Sequence, residues 1–280
     1  MKIACGTVNF RTLPLEQALR NIAEAGYEYV ETQATAPFCP HVDVDRDDPQ
    51  VFKRLIDRFG FRGVTGLWST HGAIIPDPLS VVYVVRCIQW AAAAGIPVVH
   101  AADGFRPQGM SEEDAFQTLR DRLVPILESA EACKVYLGIE PHGTFSLVPG
   151  GLKKIMSASR SAWLGVNYDA ANIHRAAYVE TVDGTFAWKA AGPKQDETAL
   201  LAEVVDRVVH YHAKDVKGSA AAVTLGTGEV DNQGCLKLLK KAGYHGAVSL
   251  ETEGEATGDA ALALIRDSRQ YLIWLMEQLG

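Results

Sequence analysis

The sequence predicts a single (β/α)8 barrel, and three observations carry that expectation. Short β-branched runs alternate with longer helical patterns from one end of the chain to the other. Eight such strand-helix units fit into 280 residues, close to the roughly 250 residues typical of an eight-fold barrel. No shift in composition marks a linker, so one domain spanning 1–280 is expected, although roughly 150 residues per domain would permit two. The alternative is a doubly wound open sheet. Its nucleotide-binding versions carry a Gly-rich turn after the first strand, where this chain has Asn9-Phe10-Arg11-Thr12.

In chain order the expected strands are 3–8, 29–32, 63–68, 97–101, 136–140, 164–168, 208–212 and 247–251. The first helix, 15–25, has Leu15, Ala18, Leu19, Ile22 and Ala23 on one stripe and Gly26 at its end. The most apolar stretch, 81–99, is interrupted by Arg86, Gln89 and Gly95-Ile96-Pro97. It falls short of the roughly 20 apolar residues of a membrane span and reads as a buried helix running into a strand. Ser111-Glu112-Glu113-Asp114 opens the fourth helix like a capping box. Two connections, 33–48 and 176–195, exceed ordinary strand-helix loops and are expected to cover the barrel mouth, where Phe186 and Trp188 would meet substrate or another subunit. Phe38 and Trp68 also fall on or near mouth loops, as packing residues or as platforms for the apolar face of a sugar.

Composition narrows the function classes. Hydrophobic residues make up 48% and charged residues 22%, enough for a sizeable core, and the net charge is −7. A negative chain lacks the concentrated positive field that nucleic-acid binding needs. The N-terminal Met1-Lys2-Ile3-Ala4-Cys5-Gly6 shows no secretory pattern, so a cytoplasmic protein is expected. Cys5, Cys39, Cys87, Cys133 and Cys235 are odd in number and scattered, which fits reduced thiols; Cys5 and Cys39 have no activating partner in the sequence.

In such a barrel the C-terminal ends of the strands meet over one mouth. Strand five ends in Glu140-Pro141-His142-Gly143, strand six leads into Tyr168-Asp169, strand seven ends in His210-Tyr211-His212-Ala213-Lys214-Asp215, and strand eight ends in Leu250-Glu251. Glu140, Asp169, His212 and Glu251 are thus expected on one rim. Three crowded carboxylates repel one another unless something positive sits among them. One divalent cation answers that, and mixed carboxylate and imidazole ligation suits manganese, magnesium, cobalt or zinc, with manganese the first choice. The bland alternative is an ion network in which Glu140 and Glu251 pair with Lys214 and Arg175.

Neighbouring residues extend the site. His142 follows Glu140 by two and His210 precedes His212 by two, so on extended backbone each points the same way as its neighbour. His142 is then a substrate contact or an outer loop histidine, and His210 a substrate contact or a satisfied barrel histidine. Lys214 either binds a substrate oxygen or pairs at the surface with Asp215.

These segments, together with Leu225-Gly226-Thr227-Gly228-Glu229-Val230-Asp231, resemble the xylose isomerase-like TIM barrels, a superfamily of sugar isomerases and epimerases that also includes the endonuclease IV type of repair enzyme. The resemblance covers most of the chain. It implies that Glu140, Asp169, His212 and Glu251 are metal ligands, and that Glu140 and Glu251 are the catalytic pair on opposite faces of the substrate. One departure stands out: where members commonly have a histidine three residues after the strand-six Asp, this chain has Asn172, with His174 two residues further on. Asn172 can hydrogen-bond a hydroxyl but is a poor transition-metal ligand, which disfavours a multi-zinc nuclease. His71 and His100 fall where the repair enzymes carry zinc ligands, and are expected on the rim as hydrogen-bonding residues.

The resemblance implies a metal-dependent isomerase or epimerase acting on a small sugar or keto-polyol through an enediolate, with His142, Asn172, His210, Lys214, His100, His71 and Trp68 as substrate contacts. Proton return to the same carbon inverts it, return to the neighbouring carbon isomerises, and loss of a β-hydroxyl dehydrates. A dehydratase acting on inosose or dehydroshikimate-like substrates is therefore the alternative enzyme. A barrel that binds a sugar or a partner subunit without turnover is the alternative of another class. The expected partner is a small-molecule substrate, with a homo-oligomer as an open option and neither nucleic acid nor membrane.

Overall fold

The computed structural model describes residues 1–69, 73–175, 178–180, 186–188, 195–218, 222–253 and 256–279, without the side chains of 178–180 and 186–188. Eight parallel strands close on themselves: β1 (Lys2–Gly6), β2 (Tyr29–Thr35), β3 (Gly63–Trp68), β4 (Val98–Ala102), β5 (Tyr136–Glu140), β6 (Leu164–Asp169), β7 (Val208–Ala213) and β8 (Ala247–Leu250). Each pairs with its successor, and β1 pairs with both β2 and β8, so the cylinder has no open edge. The expected (β/α)8 barrel is what forms. The first strand is shorter than the sequence suggests, because Thr7–Phe10 turns into a 3-10 helix.

Helices α1 (Leu15–Glu24), α2 (Pro49–Arg58), α3 (Leu79–Ala94), α4 (Glu112–Cys133), α5 (Gly151–Met156), α6 (Ala170–Arg175), α7 (Glu197–Ala202), α8 (Asn232–Lys241) and α9 (Gly258–Leu279) fill the intervals. Their ends follow from local chemistry. Asp48 caps α2 by accepting from the Gln50 N–H, Ser111 caps α4 by accepting from the Asp114 N–H, and Asp231 caps α8 by accepting from the Gly234 N–H. Each such cap is worth about 1 kcal/mol. Gly95 ends α3 in the left-handed conformation at φ 77, which costs glycine little. Among the described residues no helix is long and apolar enough to cross a membrane.

Strand periodicity sorts the side chains into an outer layer under the helices and an inner layer in the lumen. On β6 and β7 the register sets His210 beside Asn167 and His212 beside Asp169. On β4 and β5 it sets His100 beside Gly138 and Ala102 beside Glu140. The lumen therefore carries two stacked polar rings, one at the mouth and one about a residue pair deeper. The loop 33–48 folds back at once, its Cys39–Pro40 pairing antiparallel with the end of β2.

Candidate metal centre at the barrel mouth

Glu140, Asp169, His212 and Glu251 converge at the C-terminal end of the lumen, where one ligand atom from each lies within 4.8 Å of the others. All four are buried, the most exposed being Glu251 at 5%. Glu140 is fixed by three donors: the Trp68 indole N–H at 2.5 Å and the Asn167 amide at 2.7 Å on Oε2, and the Asn172 amide at 3.2 Å on Oε1. Asp169 Oδ1 accepts from the Asn172 backbone N–H at 2.9 Å, which leaves Oδ2 facing the centre. His212 turns Nδ1 to this group, 3.3 Å from Glu140 and 3.4 Å from Glu251.

Glu251 lies just beyond β8 and is held in place from the opposite side of the chain. Asn9 Oδ1 accepts from both the backbone N–H and the hydroxyl of Thr252 at 2.6 Å, and the Asn9 amide donates to Leu250 O at 3.0 Å. On β7 the motif following Lys214 has a local role. Asp215 accepts from the backbone N–H groups of Gly226, Gly228 and Val230, so the Leu225–Asp231 segment is wound around one carboxylate. A Cβ on Gly228 would lie 2.2 Å from Asp215 Oδ1, so no larger residue fits there.

Of the places expected for Lys214, the structure gives the mouth and not the surface. Its side chain is fully buried, and the ammonium sits 2.6 Å from Glu251, 2.8 Å from Asp169 and 2.8 Å from Glu253. It makes no surface pair with Asp215, whose carboxylate is turned to the loop. Arg175 joins from α6, 3.2 Å from Glu253. Glu253, a residue absent from the sequence-based site, reaches both cations from a left-handed backbone at φ 59, a strain of about 1–3 kcal/mol for a non-glycine residue. The alternative ion network is thus present in part: Lys214 pairs with Glu251, whereas Arg175 serves Glu253 and Glu140 pairs with neither.

Burial disfavours charge on all of these groups, and the neighbours decide which keep it. Burial pushes the Glu140 carboxyl up to about 7, with His212 opposing and Glu251 adding to the rise. Burial works the same way on Asp169 and Glu251, but Lys214 and His212 outweigh it and hold both below the ordinary carboxylate range. His212 is raised well above an ordinary imidazole, since Glu31, Glu251 and Glu140 outweigh its burial. A cation at this centre would replace the proton on His212 Nδ1. The donor set fits one: three carboxylates and an imidazole, already converged, with Glu140, Asp169 and His212 each oriented by a further hydrogen bond.

The other expected contacts separate. His142 stands beside Glu140 at 3.4 Å and beside the Asn172 amide at 3.3 Å, at the mouth. Asn172 is fully engaged: its amide oxygen accepts from Lys214 at 3.3 Å while its nitrogen reaches Glu140 and His142. His174 does not take over the missing histidine position, because it pairs with Glu197 at 3.2 Å, away from the centre. Trp68 acts through its N–H on Glu140 and meets His142 edge-on at 5.8 Å. Phe38 is exposed and lies against the Arg11 guanidinium, 4.6 Å away. His100 and His210 are not on the rim; both lie in the deeper ring, fully buried. His71 and the side chains of Phe186 and Trp188 lie outside the described residues. Cys39 does have a partner, His41 Nδ1 at 3.3 Å, yet burial pushes its thiol up to about 12, so it is not activated.

Sequence reasoning missed Glu31, which accepts from His212 Nε2 at 2.9 Å, and Asn167, which bridges Glu140 and His210. The available signal was a glutamate in the middle of an otherwise buried strand, Tyr29–Thr35, where only a lumen partner makes its burial tolerable.

A profile of the xylose isomerase-like TIM barrel family matches residues 19–275. Solved structures share the fold at low identity. A D-tagatose 3-epimerase-like protein superposes with a TM-score of 0.78 at 18% identity, with 100% of each chain covered. The IOLI protein with a bound zinc atom gives 0.75 at 15%, covering 100% of this chain and 99% of that one. An L-ribulose 3-epimerase gives 0.74 at 17%, covering 100% and 96%. Among curated proteins no sequence matches this chain.

Proposed function

Because this chain belongs to the xylose isomerase-like TIM barrel family, we propose that it is a divalent-cation-dependent isomerase or epimerase of a small sugar or keto-polyol. The observation that carries the reading is the convergence of Glu140, Asp169, His212 and Glu251 within 4.8 Å at the C-terminal mouth, where barrels of this type do their chemistry. Glu140, Asp169, His212 and Glu251 would hold the cation. When bound, it supplies an electrophile for adjacent carbonyl and hydroxyl oxygens of the substrate and disperses the charge that follows C–H cleavage.

The protein's own residues do the rest. Glu251 is the carboxylate kept ionised by Lys214, which suits it to take the proton from the carbon beside the carbonyl. Glu140, whose carboxyl is pushed up to about 7, is suited to hold and return one. Trp68 and Asn167 hold Glu140 Oε2 at 2.5 and 2.7 Å, so Oε1, more loosely held by the Asn172 amide at 3.2 Å, is the oxygen better placed to move a proton. His142 and Asn172 border that oxygen and would orient a substrate hydroxyl. Lys214 would bind a substrate oxygen once a cation relieves it of Asp169 and Glu251. Fold relatives described as epimerases support the substrate class; manganese remains the first metal to supply.

A second reading, a barrel that binds a polyol without turnover, draws on Lys214. Its ammonium already balances the carboxylates, so the centre is electrostatically satisfied without a metal. A panel of ketoses and keto-inositols in deuterated water with manganese, followed by NMR, separates the possibilities. The proposal expects deuterium at a carbinol carbon next to the carbonyl with no loss of water. A dehydrated product would assign the lyase, and calorimetric binding without any exchange would assign the binding barrel.

A further inference from the structure

Beneath the mouth lies a second group of donors. Glu31 from β2, His100 from β4, and His210 and His212 from β7 place one ligand atom each within 4.8 Å of one another, all fully buried or nearly so. Glu31 Oε1 is 2.9 Å from His212 Nε2 and 3.5 Å from His100 Nε2, and Glu31 Oε2 is 3.9 Å from His210 Nε2. The two longer gaps exceed hydrogen bonds. The three distances bracket the edge of about 3.3 Å expected of a tetrahedron whose bonds are about 2.0 Å, the length of zinc bonds to imidazole and carboxylate.

Three further observations point to a ligand there. His100 is fully buried, and neither ring nitrogen has a hydrogen-bond partner, a costly state for an imidazole in a protein interior. The barrel makes room for that ring: a Cβ on Gly66 would lie 2.2 Å from His100 Nε2, and one on Gly138 would lie 3.2 Å from Nδ1. His210 also turns Nε2 toward the group, 3.9 Å from Glu31 Oε2, with a lone pair that an ion could take in place of a hydroxyl proton. The Asn167 amide nitrogen donates to Glu140, so its oxygen faces His210 Nδ1 at 3.0 Å and accepts that proton, leaving the lone pair on Nε2. The Nε2 atom is met by the Thr65 hydroxyl at 3.2 Å. Thr65 and His210 line a cavity of about 710 Å³ at the N-terminal end of the barrel, bordered by Tyr29, Tyr136 and Ala247.

We propose that the barrel lumen holds a second cation seat, formed by Glu31, His100 and His210 with His212 as the shared fourth donor, and that it takes zinc or a zinc-like transition metal. Three imidazoles and one carboxylate suit zinc or cobalt, whereas the carboxylate-rich mouth suits manganese or magnesium. With both seats filled, His212 bridges through its two nitrogens as an imidazolate, and both of its ring protons leave to solvent. This seat goes beyond the function proposed above and does not depend on turnover.

The test is to strip the full-length protein of metal, supply two equivalents of zinc, and combine elemental analysis with zinc-edge anomalous diffraction. The proposal expects an anomalous peak among Glu31, His100 and His210, and a metal content that falls by one ion per chain in His100→Ala. His100→Gln, which keeps the volume of the side chain, serves if the alanine variant does not fold. Glu251→Gln, altered at the mouth, is expected to keep the lower peak, so failure of the mouth centre and failure of this seat read separately. Absence of the lower peak at two equivalents, with zinc content unchanged in His100→Gln, would overturn the proposal and leave Glu31 as the hydrogen-bond partner of His212 alone.

Discussion

The two rings of the lumen are built from opposite chemistries although both are buried. The mouth carries Glu140, Asp169, Glu251 and Glu253, and neutralises them with Lys214, Arg175 and one face of His212. The deeper ring carries one carboxylate, Glu31, among three imidazoles. At the mouth most carboxyls stay ionised because cations within 3 Å outweigh desolvation. In the deeper ring burial wins over the imidazoles: His210 is lowered to about 4, and His100 falls well below the ordinary value, with burial first and His210 second. Glu31 keeps its charge there, lowered to about 2, because His212 and His210 outweigh its burial. The contrast teaches that His212 is the hinge of the site: one nitrogen faces a group of carboxylates at the mouth and the other a single ionised carboxylate, Glu31, set among uncharged imidazoles.

The largest expected effect breaks the mouth and leaves the interior intact. Glu251→Gln is expected to lower proton exchange on the substrate by about 10²–10⁴-fold, measured by deuterium incorporation, with an unchanged circular dichroism spectrum. Wild-type exchange would remove Glu251 from the chemistry. Glu31→Gln cuts the link between the rings. Losing the carboxylate that orients a metal-bound imidazole is expected to weaken manganese binding at the mouth about 10–100-fold, read by calorimetric titration, while the four mouth donors remain.

A steric probe sharpens the comparison from below. Gly66→Ala places a methyl group 2.2 Å from the His100 ring and is expected to cost about 1–3 kcal/mol of stability through overpacking. Urea denaturation measures it, and the double variant with His100→Ala is expected to recover most of the loss. Additive destabilisation would show that the ring and the glycine do not meet.

The smallest effect concerns acid. Burial opposes ionisation of Glu253, yet Lys214 and Arg175 lower it to about 2 from 4.5. A depressed carboxyl contributes stability that is complete above pH 4.5 and is lost as the pH falls toward 2. The metal-free protein should lose stability across that window, and Glu253→Gln should flatten the slope. An unchanged slope would mean that other carboxylates carry it.

Much of this was legible in the sequence, because period and alternation encode the barrel directly. All eight strands were found, and the most overextended, 3–8, stops at Gly6, where Thr7–Phe10 tightens into a helical turn. The convergence of Glu140, Asp169, His212 and Glu251 was legible because strand ends are identifiable and share one mouth. The deeper ring was legible only in His210 and His100, the latter placed too near the rim; Glu31 and Asn167 sit mid-strand and become their neighbours only through barrel closure and register. Nor does sequence reveal how far a long side chain reaches. Of the expectations for Lys214, the surface pair with Asp215 is absent, while its pairing with Glu251 is present and extends to Asp169 and Glu253.

That lysine makes the central claim directly testable. Diffraction from crystals soaked in manganese, recorded for its anomalous signal, is the measurement. The account predicts a peak bonded to Glu140, Asp169, His212 and Glu251, with the Lys214 ammonium drawn away from Asp169 and Glu251. No peak at saturating manganese, with Lys214 still bridging those two carboxylates, would contradict it.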